Sequence, residues 1–286
     1  VSALRQAPIA EVAFEWGARI SAATDLFPAR EIYGGRAFQE ALLAANLLNA
    51  QLLVVSAGLG LISADDRVPP YACTVLVNAP DSVSSRVIGD YSVAEWWQAI
   101  GEKSPFSKSL KSKAASPSGL ICAALSEAYI DMIAGDLCAM PTEVLARLRL
   151  FTRAPVERVA PTLRPFVMPY DDRLDGPDSP VRGTRSDFAG RALHHFAEFI
   201  IRTEDSRSAA EHAAAVVASL LDWRMVARAD RQRFDDVSIL NLIHQYWDAE
   251  NGSTTRLLRR FRDDLSVACE QGRFAALVRQ VRAERT

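Results

Sequence analysis

Leu52-Leu-Val-Val-Ser-Ala-Gly-Leu-Gly-Leu-Ile-Ser-Ala-Asp-Asp-Arg-Val-Pro-Pro-Tyr-Ala-Cys-Thr74 is the stretch around which the chain is organised. Its apolar, β-branched opening, Leu52 to Val55, reads as a buried strand. Small residues then break the run at Ser-Ala-Gly-x-Gly, where a backbone turns sharply and lets a ligand approach closely. Asp65 and Asp66 follow, and Pro-Pro-Tyr stiffens the exit. In an open α/β sheet, the loops leaving the carboxyl ends of strands bind ligands. This glycine-lined, acid-bearing loop is therefore the candidate active site.

Working outward, Pro28-Ala-Arg-Glu-Ile-Tyr-Gly-Gly-Arg36 is a turn, and residues 1 to 30 are ambiguous between helix and strand. Phe38, Ala41, Leu42, Ala45 and Leu48 at helical spacing predict a one-sided helix ending near Asn49. Downstream we expect a short strand at Cys73 to Val77, a helix opened by Asp81-Ser-Val through Val87, and a second helix bearing Trp96 and Trp97. Lys103 to Ser118 reads as a mobile basic loop. A buried strand, Gly119 to Leu125, precedes a long helix to about Arg149, interrupted at Met140-Pro141. Leu163 to Val167 is the next expected strand. The stretch Met168-Pro-Tyr-Asp-Asp-Arg-Leu-Asp-Gly-Pro-Asp-Ser-Pro-Val-Arg-Gly-Thr-Arg-Ser-Asp-Phe188 is a long loop of the kind that usually serves function. Ser186-Asp187 caps a helix containing Arg191, His194, His195 and Phe196.

From about residue 203 the pattern turns helical: Ala209 to Trp223, Val237 to Trp247, a turn at Asn251-Gly-Ser253, Thr254 to Leu265, and a last helix from about Cys269. Eight arginines face four acids from Ser253 onward. Helix, glycine turn and Arg-rich helix together suggest a helix-turn-helix, with Arg256, Arg259, Arg260 and Arg262 toward DNA. The competing reading is a solvated helix face, since arginine is a good helix former.

Composition bounds the rest. At 286 residues, with 49% hydrophobic and 24% charged residues and a net charge of −2, the chain has an ordinary globular composition. No apolar run approaches the roughly 20 residues that span a bilayer, so no membrane partner is expected. Cys73, Cys122, Cys138 and Cys269 form no C-x-x-C pair, and we expect no secretion signal, hence a reducing, cytoplasmic home. His194-His195 lacks a third ligand at useful spacing, so no metal is expected. Cys122 reads as core. Ser56 and Ser126 sit in no G-x-S-x-G elbow, and neither a Walker A nor a Rossmann fingerprint occurs, so no cofactor is implied.

Leu53-Val-Val-Ser-Ala-Gly-Leu-Gly-Leu-Ile, then Asp65, then Val68-Pro-Pro-Tyr71, preceded by Glu31-Ile-Tyr-Gly-Gly35, resembles the motif series of the YaaA-like proteins of bacteria and phages. The likeness spans roughly residues 28 to 75, and residues 163 to 196 are similar to the downstream part of that group. Where the family often has Lys and an aromatic or His, this chain has Gly58 and Leu59; Ala72 replaces a common Asp. The resemblance implies membership of the uracil-DNA-glycosylase-like superfamily and a three-layer α/β/α domain with a short, mostly parallel sheet. We expect that domain over 1–202 and the helical module over 203–286.

The resemblance further implies a DNA glycosylase that hydrolyses the N-glycosidic bond of a modified base, leaves an abasic site, and serves antiphage defence. Such chemistry needs a carboxylate beside the sugar as positive charge develops, donors for the departing base, and a base held outside the duplex. Asp65 is the first candidate carboxylate and Asp172 the second, with Asp66 a substrate-side neighbour. Tyr33, Gly35, Ser56, Gly58, Gly60, Tyr71, Tyr170 and Arg173 are the expected substrate contacts. The bland readings stand beside these: an Asp-Asp that caps a turn, and Arg173 as a surface ion pair. A base-exchange enzyme and a non-catalytic DNA-binding stress-response protein are the alternatives.

Overall fold

The computed structural model describes residues 1–114, 119–201, 205–226 and 232–285. It is a mixed α/β structure in two compact units, Val1–Val226 and Ala227–Thr286. In the first unit, α1 (Ile9–Ser21) leads through β1 (Phe27–Pro28) and the short α2 (Ala29–Ile32) to α3 (Arg36–Leu47). Three strands follow, β2 (Leu53–Ser56), β3 (Gly60–Ser63) and β4 (Arg67–Val68), then α4 (Val93–Lys103) and α5 (Leu110–Ala114). The unit continues with β5 (Ile121–Ala124), α6 (Glu127–Cys138), α7 (Thr142–Leu145), β6 (Leu148–Phe151), α8 (Phe188–His195) and α9 (Ala209–Ser219). The second unit holds β7 (Gln232–Arg233), α10 (Asp236–Tyr246), α11 (Thr254–Asp263), β8 (Val267–Ala268) and α12 (Gln271–Glu284).

Among the described residues the strands form four separate pairs, two antiparallel and two parallel, in place of one continuous, mostly parallel sheet. The opening stretch is a hairpin: β2 pairs with β3 in antiparallel register, Val54 opposite Ile62 and Ser56 opposite Gly60. Ser-Ala-Gly-x-Gly is thus a hairpin turn rather than the exit loop of a parallel strand. Its second arm, Leu61 and Ile62, is fully buried, so apolar burial drives the chain to fold straight back.

β5 and β6 are parallel, Cys122 opposite Arg149, with a bridge from Leu150 to Val167 extending the ladder. Alternate side chains of a strand face opposite ways. Accordingly Ile121, Ala123, Leu148 and Leu150 join one hydrophobic cluster with α1, α4 and α6. Cys122, Ala124 and Phe151 join a second with α3, α8 and α9.

Several expectations change. Leu148–Phe151 is a strand, not the tail of a helix, because Arg149 has buried acceptors: the carbonyls of Ala146 (2.9 Å), Leu148 (2.7 Å) and Arg207 (2.8 Å), and His212 Nδ1 (2.8 Å). The expected strand at Leu163–Val167 falls in a 3₁₀ helix, Pro161–Phe166, followed by that one bridge at Val167, with Pro165 unable to donate to a ladder. Cys73–Val77 forms only a bridge between Thr74 and Ser82, and Asp81–Val87 only a 3₁₀ turn, Val83–Ser85. Of the expected basic loop, residues 110–114 are helical, and residues 115–118 lie outside the described ones. The boundary expected at 202/203 also lies outside them. α9 belongs with the first unit, because His212, Val216 and Leu220 are buried there.

Candidate functional site

The hairpin turn is held from three directions by neutral donors. Trp96 Nε1 donates to the Ala57 carbonyl and Trp16 Nε1 to that of Gly58, both at 2.7 Å. Ser104 Oγ donates to the Leu59 carbonyl at 2.8 Å. From inside the turn, Ser56 Oγ accepts from the N–H groups of Gly58 (3.3 Å) and Leu59 (3.1 Å). The backbone groups of Ala57, Gly58 and Leu59 are therefore engaged within the chain. The glycines are required sterically: a Cβ on Gly58 would lie 2.6 Å from the Tyr71 ring, and one on Gly60 would lie 2.1 Å from Ser107 Oγ. Gly35 has open space around it.

Three residues from separate stretches converge here. Tyr33 and Tyr71 hydroxyls are 2.6 Å apart, and Tyr71 is 2.6 Å from Ser56 Oγ. Burial raises both phenol pKa values, so the relay is protonated at neutral pH. Cys73, whose thiol burial pushes up to about 12, donates to the Ala57 carbonyl at 3.6 Å and is not a nucleophile.

The two acids leave the hairpin on the turn between β3 and β4, and α2 hangs from the same turn. The N–H of Ala29 donates to the Asp66 carbonyl (2.8 Å), and that of Arg30 to the Ala64 carbonyl (3.0 Å). This places Arg30 against Asp65, whose side chain is 67% exposed. Asp66 is 28% exposed and committed inward, accepting from Ser63 N–H at 2.7 Å and Lys108 Nζ at 2.6 Å. Burial pushes its carboxyl up but is outweighed by Lys108 and the Ser63 N–H, which hold it below the usual range. Trp16, Trp96, Ser104, Ser107 and Lys108 escaped the sequence reading. The signal available was that buried indoles need acceptors, and an unfilled turn is where acceptors lie.

The second half of the expected site packs on the other cluster. Tyr170 is buried, its hydroxyl 2.8 Å from His195 Nδ1. Asp171 holds Arg173 through both oxygens, and Arg173 also donates to the Leu220 carbonyl at 2.9 Å, fastening the end of α9. Asp172 pairs with Arg153, which reaches Asp175 at 2.8 Å. Asp175 also pairs with the buried Arg191, and Arg191 Nε meets Asp187 at 2.5 Å. Thr184 N–H donates to Asp187 at 2.8 Å, so Asp187 closes a capping box before α8. Asp172 thus belongs to a structural ion-pair chain. His194 pairs with Glu40 at 2.6 Å, and no group of His, Cys, Asp or Glu among the described residues is arranged to hold a metal.

In the second unit, seven residues separate α10 from α11, more than the three or four of a helix-turn-helix. Asn251 and Gly252 make the turn with positive φ. Arg260 pairs with Glu250 at 2.8 Å and stacks over Tyr246 at 4.4 Å. Arg262 donates to the Cys269 carbonyl, and Arg259 lies 3.7 Å from Asp263. Arg256 is exposed. The acids that answer these and the neighbouring arginines include Asp236, Asp248 and Glu250, upstream of the stretch in which arginines outnumber acids.

No helix among the described residues is long and apolar enough to cross a membrane. No protein-family model, curated protein or solved structure matches the chain.

Proposed function

We propose that this chain hydrolyses the N-glycosidic bond of a modified base in DNA, leaving an abasic site, in the cytoplasm and as part of defence against phages. One observation carries the reading. The three motif stretches, 31–35, 53–62 and 68–71, meet in a single relay, Tyr33–Tyr71–Ser56, with Arg30–Asp65 tying the first stretch to the acid turn. A three-layer α/β/α arrangement belongs to the same proposal, supported by the strand pair β5–β6 whose alternate residues face different clusters.

In this reading Asp65 is the catalytic carboxylate. Its exposure, with Arg30 beside it, leaves it open to a sugar from the solvent side, whereas Asp66 is turned inward to Ser63 and Lys108. As the C1′–N bond breaks, the bonding pair leaves with the base. Water adds its oxygen to C1′, and Asp65 supports the positive charge and takes the water's proton. Asp172, 29% exposed and part of an ion-pair chain through Arg153, has the weaker claim.

The test is release of free base, identified by mass spectrometry, and appearance of alkali-labile sites in phage DNA and modified oligonucleotides. Asp65→Asn is expected to lower release at least about 100-fold while DNA binding persists, and Asp66→Asn to leave release within a few-fold. Equal loss in both variants overturns the assignment, and absence of release from every substrate overturns the reaction. One observation favours a non-catalytic DNA-binding protein instead: the glycine turn is filled by the chain's own side chains. Salt-dependent binding without release would support that reading.

A further inference from the structure

All four lysines of the chain, Lys103, Lys108, Lys111 and Lys113, fall within eleven residues that contain no acid, and every other Lys/Arg position is an arginine. We infer that this segment is the surface that takes the DNA phosphate backbone, an inference that rests on the DNA reading above. The segment is ordered against the candidate site. Leu61 N–H donates to Ser107 Oγ (3.3 Å), Lys108 N–H donates to the Leu61 carbonyl (2.7 Å), and Lys108 Nζ reaches Asp66. It therefore lies beside the turn that carries Asp65.

Lysine 108 is engaged there. Among the described residues the ammonium groups of Lys103, Lys111 and Lys113 meet no acid at ion-pair distance, and Lys113 is near enough to Asp66 to act on its carboxyl. Lys108, Ser109 and Lys111 line a cleft of about 480 Å³, with Gln98 and Asp136 among the residues on its other walls. Asp136 is tied by Trp97 Nε1 (2.7 Å) and Gln98 Nε2 (3.0 Å), while Glu102 also lines the cleft and is exposed. Arg173, Arg191 and Arg224, by contrast, are held in fixed forks against carboxylates and carbonyls. Lysine, a compact charge on a flexible stem, suits contacts that follow a backbone without reading bases. Within α11, Arg260 and Arg262 are the contrast, being anchored to their own unit.

Counterion release makes the count measurable: each phosphate neutralised adds about 0.9 to the slope of log Kobs against log salt on duplex DNA. The full-length chain is titrated against a fluorescent duplex between 50 and 200 mM salt, a range chosen for roughly that slope. Replacing Lys103, Lys111 and Lys113 by Gln is expected to lower the slope by roughly 2 to 3 units, and replacing them by Arg to restore it. Glu102→Gln is expected to tighten binding. Arg256→Gln with Arg259→Gln is expected to lower the slope by less than about 1 unit. If the wild-type chain binds but the glutamine variant, with an unaltered melting curve, keeps the full slope, the lysine inference falls while the DNA reading stands. If the wild-type chain does not bind DNA, both fall.

Discussion

The hairpin turn at 56–60 and the segment at 168–188 are both dense in small and polar residues, yet their polar groups are satisfied by opposite means. Around the turn, neutral donors reach backbone carbonyls: two indoles, a serine hydroxyl and a thiol. Along the segment, guanidinium groups reach carboxylates, with Arg153 joining Asp172 to Asp175 and Arg191 joining Asp175 to Asp187. The first is a neutral clamp and the second an electrostatic one. Loop composition alone therefore does not mark a ligand site. What matters is which groups stay open to solvent after the chain has satisfied itself, and on the hairpin side that group is Asp65, 67% exposed beside Arg30.

The largest expected effect follows from the electrostatic clamp. Arg191 is fully buried and donates to Asp187 and to the carbonyls of Leu174 (3.0 Å), Val181 (3.1 Å) and Thr184 (2.8 Å). Arg191→Met leaves Asp187 and these carbonyls without that donor, and is expected to cost about 3–5 kcal/mol in urea unfolding at pH 7. Trp96→Phe, which removes the indole donor from the neutral Ala57 carbonyl and leaves it the longer Cys73 thiol contact, is expected to cost about 1–3 kcal/mol. Equal losses would erase the distinction between the clamps.

That distinction also explains what the sequence made legible. Helices with one apolar face, such as α4 and α10, and the apolar strands β2 and β5 announce themselves through their period. β3 does not, because Gly60-Leu-Ile-Ser63 becomes a strand only by pairing with β2. β6 is hidden by Arg149, which reads as a helical surface residue until four acceptors appear around it. For the site, Tyr33, Ser56 and Tyr71 were legible as motif residues and do meet. The partners that fill the turn come from α1 and from residues 96–108, at separations no local pattern encodes.

A second, smaller effect separates the two regions by pH. His195 is 2% exposed, among the rings of Tyr170, Phe199 and Trp223. Burial, with a lesser contribution from His194, lowers its pKa to about 4, against about 6.5 in an unfolded chain. Between those values the unfolded chain binds more protons, so the stabilisation is complete above pH 6.5 and is lost progressively as the pH falls toward 4. Wild-type stability should fall over that window by on the order of 3 kcal/mol more than that of His195→Gln. Denaturant midpoints at several pH values measure it. Parallel curves for the two proteins would place the acid sensitivity elsewhere, in the buried His212 or the carboxylates.

The smallest effect tests the neutral clamp at its tightest point. Gly60 has φ +78, and a Cβ there would lie 2.1 Å from Ser107 Oγ and 2.5 Å from Ser107 Cβ. The left-handed conformation alone costs a side chain about 1–2 kcal/mol, and the overlap adds to it, so Gly60→Ala is expected to destabilise by about 2 kcal/mol. Gly35, at φ −66 with open space around it, should accept alanine within about 0.5 kcal/mol. Adding Ser107→Gly to Gly60→Ala, with Ser107→Gly alone as the reference for the lost Leu61 N–H bond, separates the two causes, since it relieves the overlap and leaves the backbone conformation unchanged. Recovery of part of the loss assigns that part to the strap that Ser104, Ser107 and Lys108 draw across the hairpin. Absence of recovery assigns the whole loss to backbone conformation, and the strap then rests on its other hydrogen bonds rather than on close packing against the turn.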